Sequence, residues 1–148
     1  MPTDISIRPA HAGDFATAVA WLSGAGLPTA DLRVEQMPSF LVASRGDEVL
    51  GIVGLERFAA VGLLRSLVVA ATARGAGIGA RLVAALEAAA RTAGVDELWL
   101  LTIDADGFFL RHGFSVQARD QAPASIQATA EFSSLCPGDA VLMRKPLR

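Results

Sequence analysis

Tyrosine is absent from this chain, cysteine occurs once and histidine twice. A lone Cys136 cannot close a disulfide within the chain. One cysteine with two histidines is also too few for a Cys/His zinc site, so no metal is expected. No apolar run reaches the roughly 18–20 residues that span a bilayer. The longest candidate, "VGLLRSLVVAA", is broken by Arg65 and Ser66. Asp4 and Arg8 stand where a signal peptide would carry its apolar segment. Thirteen Lys and Arg against fifteen Asp and Glu leave a net charge of −2, with no basic stripe, which argues against nucleic acid as a partner. At 52% hydrophobic and 19% charged residues the chain is not disordered. The expectation is a soluble cytoplasmic protein without a membrane partner, one domain over residues 1–148.

What is present is a succession of short apolar runs separated by turn signals. "ISIRPA" alternates like a strand, and Asp14 then stands where a helix cap belongs, before a helix running to Gly24. "GLPTADLRVEQMP" reads as loop with at most one helical turn. "FLVAS", "VLGIVGLERF" and "LLRSLVVA" follow, joined by links too short for crossovers, which predicts an antiparallel meander. From Ile78 the period changes to that of a helix, with Ile78, Leu82, Leu86 and Ala89-Ala90 on one face. Glu87 and Arg91 form a favourable pair on it, and Gly94 stands where the helix should end. "ELWLLTI" is apolar throughout, as in a strand covered on both faces. A short helix in "DGFFLRHG", a strand "FSVQAR", a helix after Pro123 and a strand "AVLMRKPL" complete the pattern. The fold class is α/β, with the meander and a strand–helix–strand unit sharing one mixed sheet.

Three glycines lie in five residues where the strand gives way to the long helix, in Arg74-Gly75-Ala76-Gly77-Ile78-Gly79-Ala80. A helix N-terminus presents unpaired N–H groups and a positive dipole end, which attract phosphate oxygens. Glycines let a ligand approach those groups, and Arg74 adds forked donors. The spacing reads as a pyrophosphate cradle. A P-loop is excluded because no Gly-Lys-Ser/Thr follows. Gly75-x-Gly77-x-x-Ala80 also satisfies a dinucleotide fingerprint, with Asp96 21 positions after Gly75. Against it, Asp96 precedes the following strand, whereas the ribose-binding acid should end it. A glycine-rich turn that packs tightly and binds nothing is the third reading.

Arg74-x-x-Gly77-x-Gly79, preceded by Leu67-Val68-Val69, resembles the acetyl-CoA motif of the GCN5-related N-acetyltransferase (GNAT) family. "ISIRPAHAGDFATAVAWL" resembles its first strand and helix, "FLVASRGDEVLGIVGLERF" its second and third strands, and "DGFFLRHGF" its "FYxxxGF" block. The resemblance implies a single-domain, mostly antiparallel mixed sheet of about seven strands flanked by helices, with splayed fourth and fifth strands. It implies that Leu67, Val68 and Val69 run beside the pantetheine arm of acetyl-CoA, the cosubstrate. The backbone of Arg74, Gly75, Ala76, Gly77, Ile78, Gly79 and Ala80 would hold the pyrophosphate, and Thr102 and Phe109 would line the cofactor side.

The implied reaction is acetyl transfer from a thioester to the amine of a small molecule. Val69 would offer its backbone N–H to the developing oxyanion, and a base acting through water would take the ammonium proton. Glu56 is the first candidate base, because a charge closing an apolar strand asks for a reason; a solvated strand end is the plain alternative. Asp104 and Asp106 are runners-up that could instead cap the next helix. Phe109 occupies the position where the family commonly has a tyrosine that protonates the leaving thiolate. With no tyrosine in the chain, water, Ser133 or Cys136 would take that task. A thiol pKa of about 8.5 makes the thiolate a fair leaving group without help. His112 and His11 read as surface and loop residues.

"PASIQATAEFSSLCPGDAVLMRKPL" with "GLLRSLVVAATARGAGIG" resembles a narrower group, small acetyltransferases associated with arsenic resistance. Their relatives acetylate amino-acid-like compounds, including arsenic- and phosphorus-containing glutamate analogues. Such acceptors need a cation for their carboxylate. Arg33, Arg57 and Arg65 are available, and Arg65 stands out inside a strand. A non-catalytic CoA-binding module and a dinucleotide enzyme remain as alternatives. Many folds of this kind pair through their C-terminal strands, which admits a homodimer.

Overall fold

Backbone hydrogen bonding converts the apolar runs into seven strands and four helices in a computed structural model that describes residues 4–27, 29–73, 77–135 and 140–148. In chain order these are β1 (Ser6–Pro9), α1 (Phe15–Gly24), β2 (Phe40–Arg45), β3 (Glu48–Phe58), β4 (Val61–Val69), α2 (Ile78–Thr92), β5 (Glu97–Thr102), α3 (Asp106–Arg111), β6 (Ser115–Gln117), α4 (Ala124–Gln127) and β7 (Val141–Pro146). The strands form one sheet in the order β1-β2-β3-β4-β5-β7-β6. β1 with β2, β2 with β3, β5 with β7 and β6 with β7 are antiparallel. β4 and β5 are parallel, in register from Val61 opposite Glu97 to Leu63 opposite Trp99. Parallel neighbours need a long connection, and α2 supplies it. The mixed, mostly antiparallel seven-stranded sheet expected from the sequence is therefore the one that forms.

The chain divides into two compact units, Met1–Leu55 with Ser66–Ala88, and Glu56–Arg65 with Ala89–Arg148. In the first, Ala18 and Leu22 of α1 pack with Met37, Phe40, Val42 and Ile52. Each large apolar side chain removed from water there contributes about 1.5–3 kcal/mol. Two glycines in β3 have specific neighbours. Gly54 stands opposite Phe40 in the β2–β3 register, and the Phe40 ring fills the place a Gly54 Cβ would take, 2.5 Å away. At Gly51 a Cβ would lie 2.8 Å from Leu82 Cδ1 and 3.2 Å from both Ile78 Cγ2 and the Val68 carbonyl oxygen. Gly51 thus sets how closely the first turns of α2 approach the sheet.

Asp14 does not cap α1 as the sequence suggests, for its carboxylate makes no cap bond to that helix. It accepts instead from Arg8 at 2.9 and 3.1 Å and from the His11 backbone N–H at 2.9 Å. His11 in turn caps the short 3-10 turn Ala12–Asp14, its Nδ1 accepting from Gly13 N–H at 3.2 Å. The Arg8 guanidinium, helped by the His11 amide and opposed by burial, lowers the Asp14 pKa from 3.8 to about 2.

In the second unit Leu63, Trp99, Leu142, Ile126 and Ala122 form the core. Burial alone would raise the Glu97 pKa, but the Trp99 indole N–H and the Arg144 guanidinium hold it below the usual range. α2 ends as its sequence requires. Gly94 adopts φ +90°, the Val95 N–H reaches the Ala90 carbonyl at 2.9 Å, and the Gly94 N–H reaches Arg91 at 3.0 Å. The helix expected after Pro123 is only α4, followed by a π-helical turn at Glu131–Leu135. The break has a local cause, since the Thr129 hydroxyl donates to the Ile126 carbonyl at 2.7 Å and accepts from the Phe132 N–H at 3.2 Å. Those bonds compete with the regular helical ladder.

Gly51→Ala is expected to lower stability by about 1–3 kcal/mol through overpacking, read as a shift in the urea midpoint. Asp14 stabilises the fold at any pH above its unfolded value of 3.8, and the contribution fades as pH falls through about 2. Asp14→Asn should therefore cost about 1–2 kcal/mol at pH 6, allowing for screening by solvent, and the difference from wild type should shrink toward zero by pH 2.

Candidate active site

β4 ends in Leu67, Val68 and Val69, all half-buried. The strand is anchored just past its end, where the Ala70 N–H donates to the Leu50 carbonyl at 2.8 Å. A 3-10 turn at Ala71–Ala73 follows. Arg74, Gly75 and Ala76 of the expected cradle lie outside the described residues, as does Cys136. The chain is described again at Gly77, which adopts φ +74° and is exposed. Its carbonyl accepts from the Arg81 N–H at 3.1 Å and so starts the α2 ladder. A Cβ added at Gly77 would meet nothing within 4 Å.

That last observation separates two of the sequence readings at this position. A glycine required for tight packing has neighbours where its Cβ would be, as Gly51 does. Gly77 has none. It is glycine because a left-handed backbone costs other residues about 1–2 kcal/mol, and the surface beyond it is clear. Ile78 and Leu82 are buried and fasten the helix to Gly51, while Gly79 and Ala80 are half-buried. The first-turn N–H groups of α2 have no partner within the helix, by the geometry of any α-helix.

Within β4, Ser66 adopts φ +63° and is 7% exposed. A buried non-glycine residue in that region costs on the order of 1–3 kcal/mol and interrupts the pleat. Nothing in the sequence marked it beyond its breaking an apolar run. The residue before it, Arg65, has a side chain with no exposure at all. Its Nη1 donates to Glu56 Oε2 at 2.9 Å, and its Nη2 lies 3.4 Å from Glu131 Oε1. The Glu56 side chain is 22% exposed and that of Glu131 5%. The structure thus brings the candidate base and the candidate substrate-binding arginine together as an ion pair. Glu131 is the residue that sequence reasoning missed. Its signal was a lone acid within the small-residue stretch "ASIQATAEFSSL".

The other expected residues fall into plainer settings. Thr102 Oγ1 accepts from the Ala105 N–H at 3.0 Å and shapes the turn after β5. Ala105, not Asp104 or Asp106, is the cap of α3. Phe109 is 4% exposed, with its ring edge-on to Phe108 at 5.1 Å and Phe114 at 5.4 Å. The His112 ring lies 4.4 Å from Phe108, and its carbonyl accepts from Lys145 at 2.8 Å. The Ser133 hydroxyl donates to the Thr129 carbonyl at 2.8 Å. Arg33 lies 3.7 Å from Glu35 with both exposed, and Arg57 is exposed. Among the described residues no cluster of His, Cys, Asp and Glu could hold a metal, and no helix is long and apolar enough to cross a membrane.

Residues 37–116, more than half of the chain, match the family model described as "Acetyltransferase (GNAT) domain". The chain belongs to the GNAT family. The GNAT assignment agrees with the sheet order and with solved structures. N-acetylglutamate synthase from Neisseria gonorrhoeae, complexed with coenzyme A and N-acetyl-glutamate, matches at TM-score 0.85 and 22% identity over 100% of this chain and 36% of that one. Rv2747 from Mycobacterium tuberculosis, complexed with CoA, matches at 0.81 and 22% over 97% of this chain and 99% of that one. PaiA N-acetyltransferase from Thermoplasma acidophilum, complexed with coenzyme A, matches at 0.68 and 18% over 97% and 99%. This GNAT chain spans about a third of the length of the Neisseria synthase. At these identities the likeness establishes the fold. A search of curated proteins found no match.

Arg65→Met should destabilise this GNAT domain by about 3–5 kcal/mol, because it leaves Glu56 and Glu131 without their shared cation. Chemical denaturation measures that loss. Adding Glu56→Gln and Glu131→Gln to Arg65→Met should recover most of it.

Proposed function

We propose that this GNAT domain, one domain over residues 1–148, transfers an acetyl group from acetyl-CoA to the amine of a small amino acid or amino-acid-like compound. The observation that carries the reading is Gly77, left-handed, unobstructed and opening α2 straight after the β4 turn. A phosphate approaching there meets backbone rather than a side chain, which is what a pyrophosphate site needs. The residues present fit the group. The backbone of Arg74 through Ala80 would hold its pyrophosphate, and Leu67, Val68 and Val69 would bind the amide-bearing arm as a strand edge binds a peptide. When bound, acetyl-CoA supplies an activated thioester carbonyl.

The chain's own residues do the rest. The Val69 N–H would stabilise negative charge on the acetyl oxygen, a contribution fixed in advance by the strand. Glu56, the solvent-accessible carboxylate of its cluster, takes the ammonium proton through water and leaves the amine free to attack. Arg65 is engaged by two carboxylates, so an acceptor carboxylate falls to an exposed cation such as Arg57 or Arg33. Phe109 is enclosed by its aromatic neighbours and brings no phenol, so protonating a departing thiolate would fall to water. Support for an amino-acid acceptor comes from the Neisseria neighbour, which was solved with N-acetyl-glutamate. The arsenic- and phosphorus-containing glutamate analogues suggested by the C-terminal segment form a second arm of the acceptor test.

Acetyl-CoA at 100 times its Kd should stabilise the protein by about 2.7 kcal/mol and NAD should not, as read by thermal shift. Gly77→Ala and Gly77→Glu both pay the left-handed backbone cost, but only the acidic, bulky variant should lose the acetyl-CoA shift. A Gly77→Glu protein that kept it would sink the cradle. Thiol release should appear with glutamate or its arsenic or phosphorus analogues rather than with polyamines or aminoglycosides, and no release with any amine would leave a binding module.

A further inference from the structure

A glycine inside a strand weakens it unless something must come close to its backbone. Three groups do so at Gly51, and all of them come from segments of the proposed cofactor site. The place of the missing Cβ lies 2.8 Å from Leu82 Cδ1, 3.2 Å from Ile78 Cγ2 and 3.2 Å from the Val68 carbonyl oxygen. Ile78 and Leu82 lie in the first turns of α2, whose free N–H groups would meet the pyrophosphate. Val68 is in the closing stretch of β4, beside which the amide-bearing arm would run. Gly51, Val68, Ile78 and Leu82 belong to one compact unit. We propose that Gly51 is a positioning residue for acetyl-CoA: its missing methyl sets the end of β4 and the start of α2 at the spacing that one cofactor needs. The proposal rests on the reading of Leu67–Val69 and the turn to Ala80 as the cofactor site.

The three contacts have little freedom to yield. Leu82 is 0% exposed and Ile78 1%, and a closely packed interior leaves such side chains no space to move into. The Val68 oxygen is backbone and moves only with its strand. Hydrogen bonding shows which edge of that strand Gly51 governs. The Ala70 N–H donates to the Leu50 carbonyl, so Ala70 and, by alternation, Val68 turn their backbone groups toward β3. Leu67 and Val69 then turn theirs to the opposite edge, where the arm would lie. A Cβ at position 51 would press on β4 through Val68 and on α2 through Ile78 and Leu82, and contacts at 3.2 Å must give by a few tenths of an ångström. Binding sites hold their groups to within about 0.5 Å of productive geometry, so shifts at two places along one ligand register in its affinity. Crowding a glycine of β3 does not by itself reach the site. At Gly54 the nearest atoms all belong to the Phe40 ring.

The test is the dissociation constant of acetyl-CoA, measured by calorimetric titration of the whole chain as wild type, Gly51→Ala and Asp14→Asn at one temperature where each is folded. Asp14→Asn removes hydrogen bonds elsewhere in the same compact unit and so controls for lost stability alone. Gly51→Ala should bind about 10-fold more weakly, since a misplacement of about 1 Å can cost 100-fold and this one is smaller. Asp14→Asn should bind as wild type does. An unchanged constant in folded Gly51→Ala overturns the proposal, and so does an equal weakening in Asp14→Asn, the mark of general loosening. If Gly51→Ala does not fold, Gly51→Ala/Leu82→Val, which takes away the atom at 2.8 Å, is compared with Leu82→Val. Binding about 3-fold weaker is then expected through the two contacts that remain, and equal binding overturns the proposal. Wild type that binds no acetyl-CoA sinks the cofactor reading and this proposal with it, whereas binding indifferent to Gly51→Ala removes the proposal alone.

Discussion

A chain leaving β4 must stop hydrogen-bonding as a strand at Val69 and start as a helix after Gly77, and the proposed cofactor site depends on how the two ends of that passage are held. The exit is pinned by the Ala70 N–H on the Leu50 carbonyl. The entry is set by Gly77 in the left-handed region, where a side chain would be strained. The helix that follows is held close to the sheet because Gly51 has no Cβ to keep Ile78 and Leu82 away. The two glycines therefore have opposite reasons. Gly51 makes room inward for packing, and Gly77 leaves the backbone open outward. The proposed phosphate site would need both, since open amides are useful only if the helix bearing them is fixed.

The second organising feature is electrostatic. Arginine in the middle of an apolar strand is tolerated only when its charge is fully answered, and Arg65 is answered by acids from β3 and from the turn after α4. Directly after it, Ser66 takes up a left-handed conformation inside the same strand. A buried ion cluster and a strained backbone residue side by side are both costly in isolation. Such costs persist where the surrounding structure over-determines them, and they concentrate at functional sites. The absence of tyrosine belongs to the same picture. Phe109 is packed edge-on between two phenyl rings, where a phenol would need a hydrogen-bond partner. Membership of the GNAT family goes with the fold, and the particular residues decide how the proposed acetyl transfer could be run without a phenolic acid.

Much of the architecture was legible because it follows from local pattern. Period-2 alternation, short links between apolar runs and the change of period at Ile78 are properties of neighbouring residues, and strands and helices answer to them directly. The end of α2 at Gly94 is of this kind, with the capping bonds that a glycine in that place allows. The errors were also local, and they came from competition for partners. Asp14 was a reasonable helix cap until Arg8 and the His11 amide claimed its oxygens. The segment after Pro123 had helical composition, but Thr129 turned its hydroxyl onto the backbone and ended the helix early. A side chain with two available partners gives no sign in sequence of which it will choose.

By itself the sequence determined the α/β class, the order of the elements, the place of the glycine-rich turn and its likeness to the GNAT family. It did so because hydrophobic period, glycine placement and motif spacing are short-range properties encoded within a few residues. Only the tertiary structure decided that Arg65 would be enclosed between Glu56 and Glu131, which lie 9 and 66 positions away along the chain. It alone showed that Gly77 faces open space while Gly51 is crowded. Those outcomes depend on which distant surfaces meet and on the cost of burying a charge without a partner, and no short stretch of sequence carries that information.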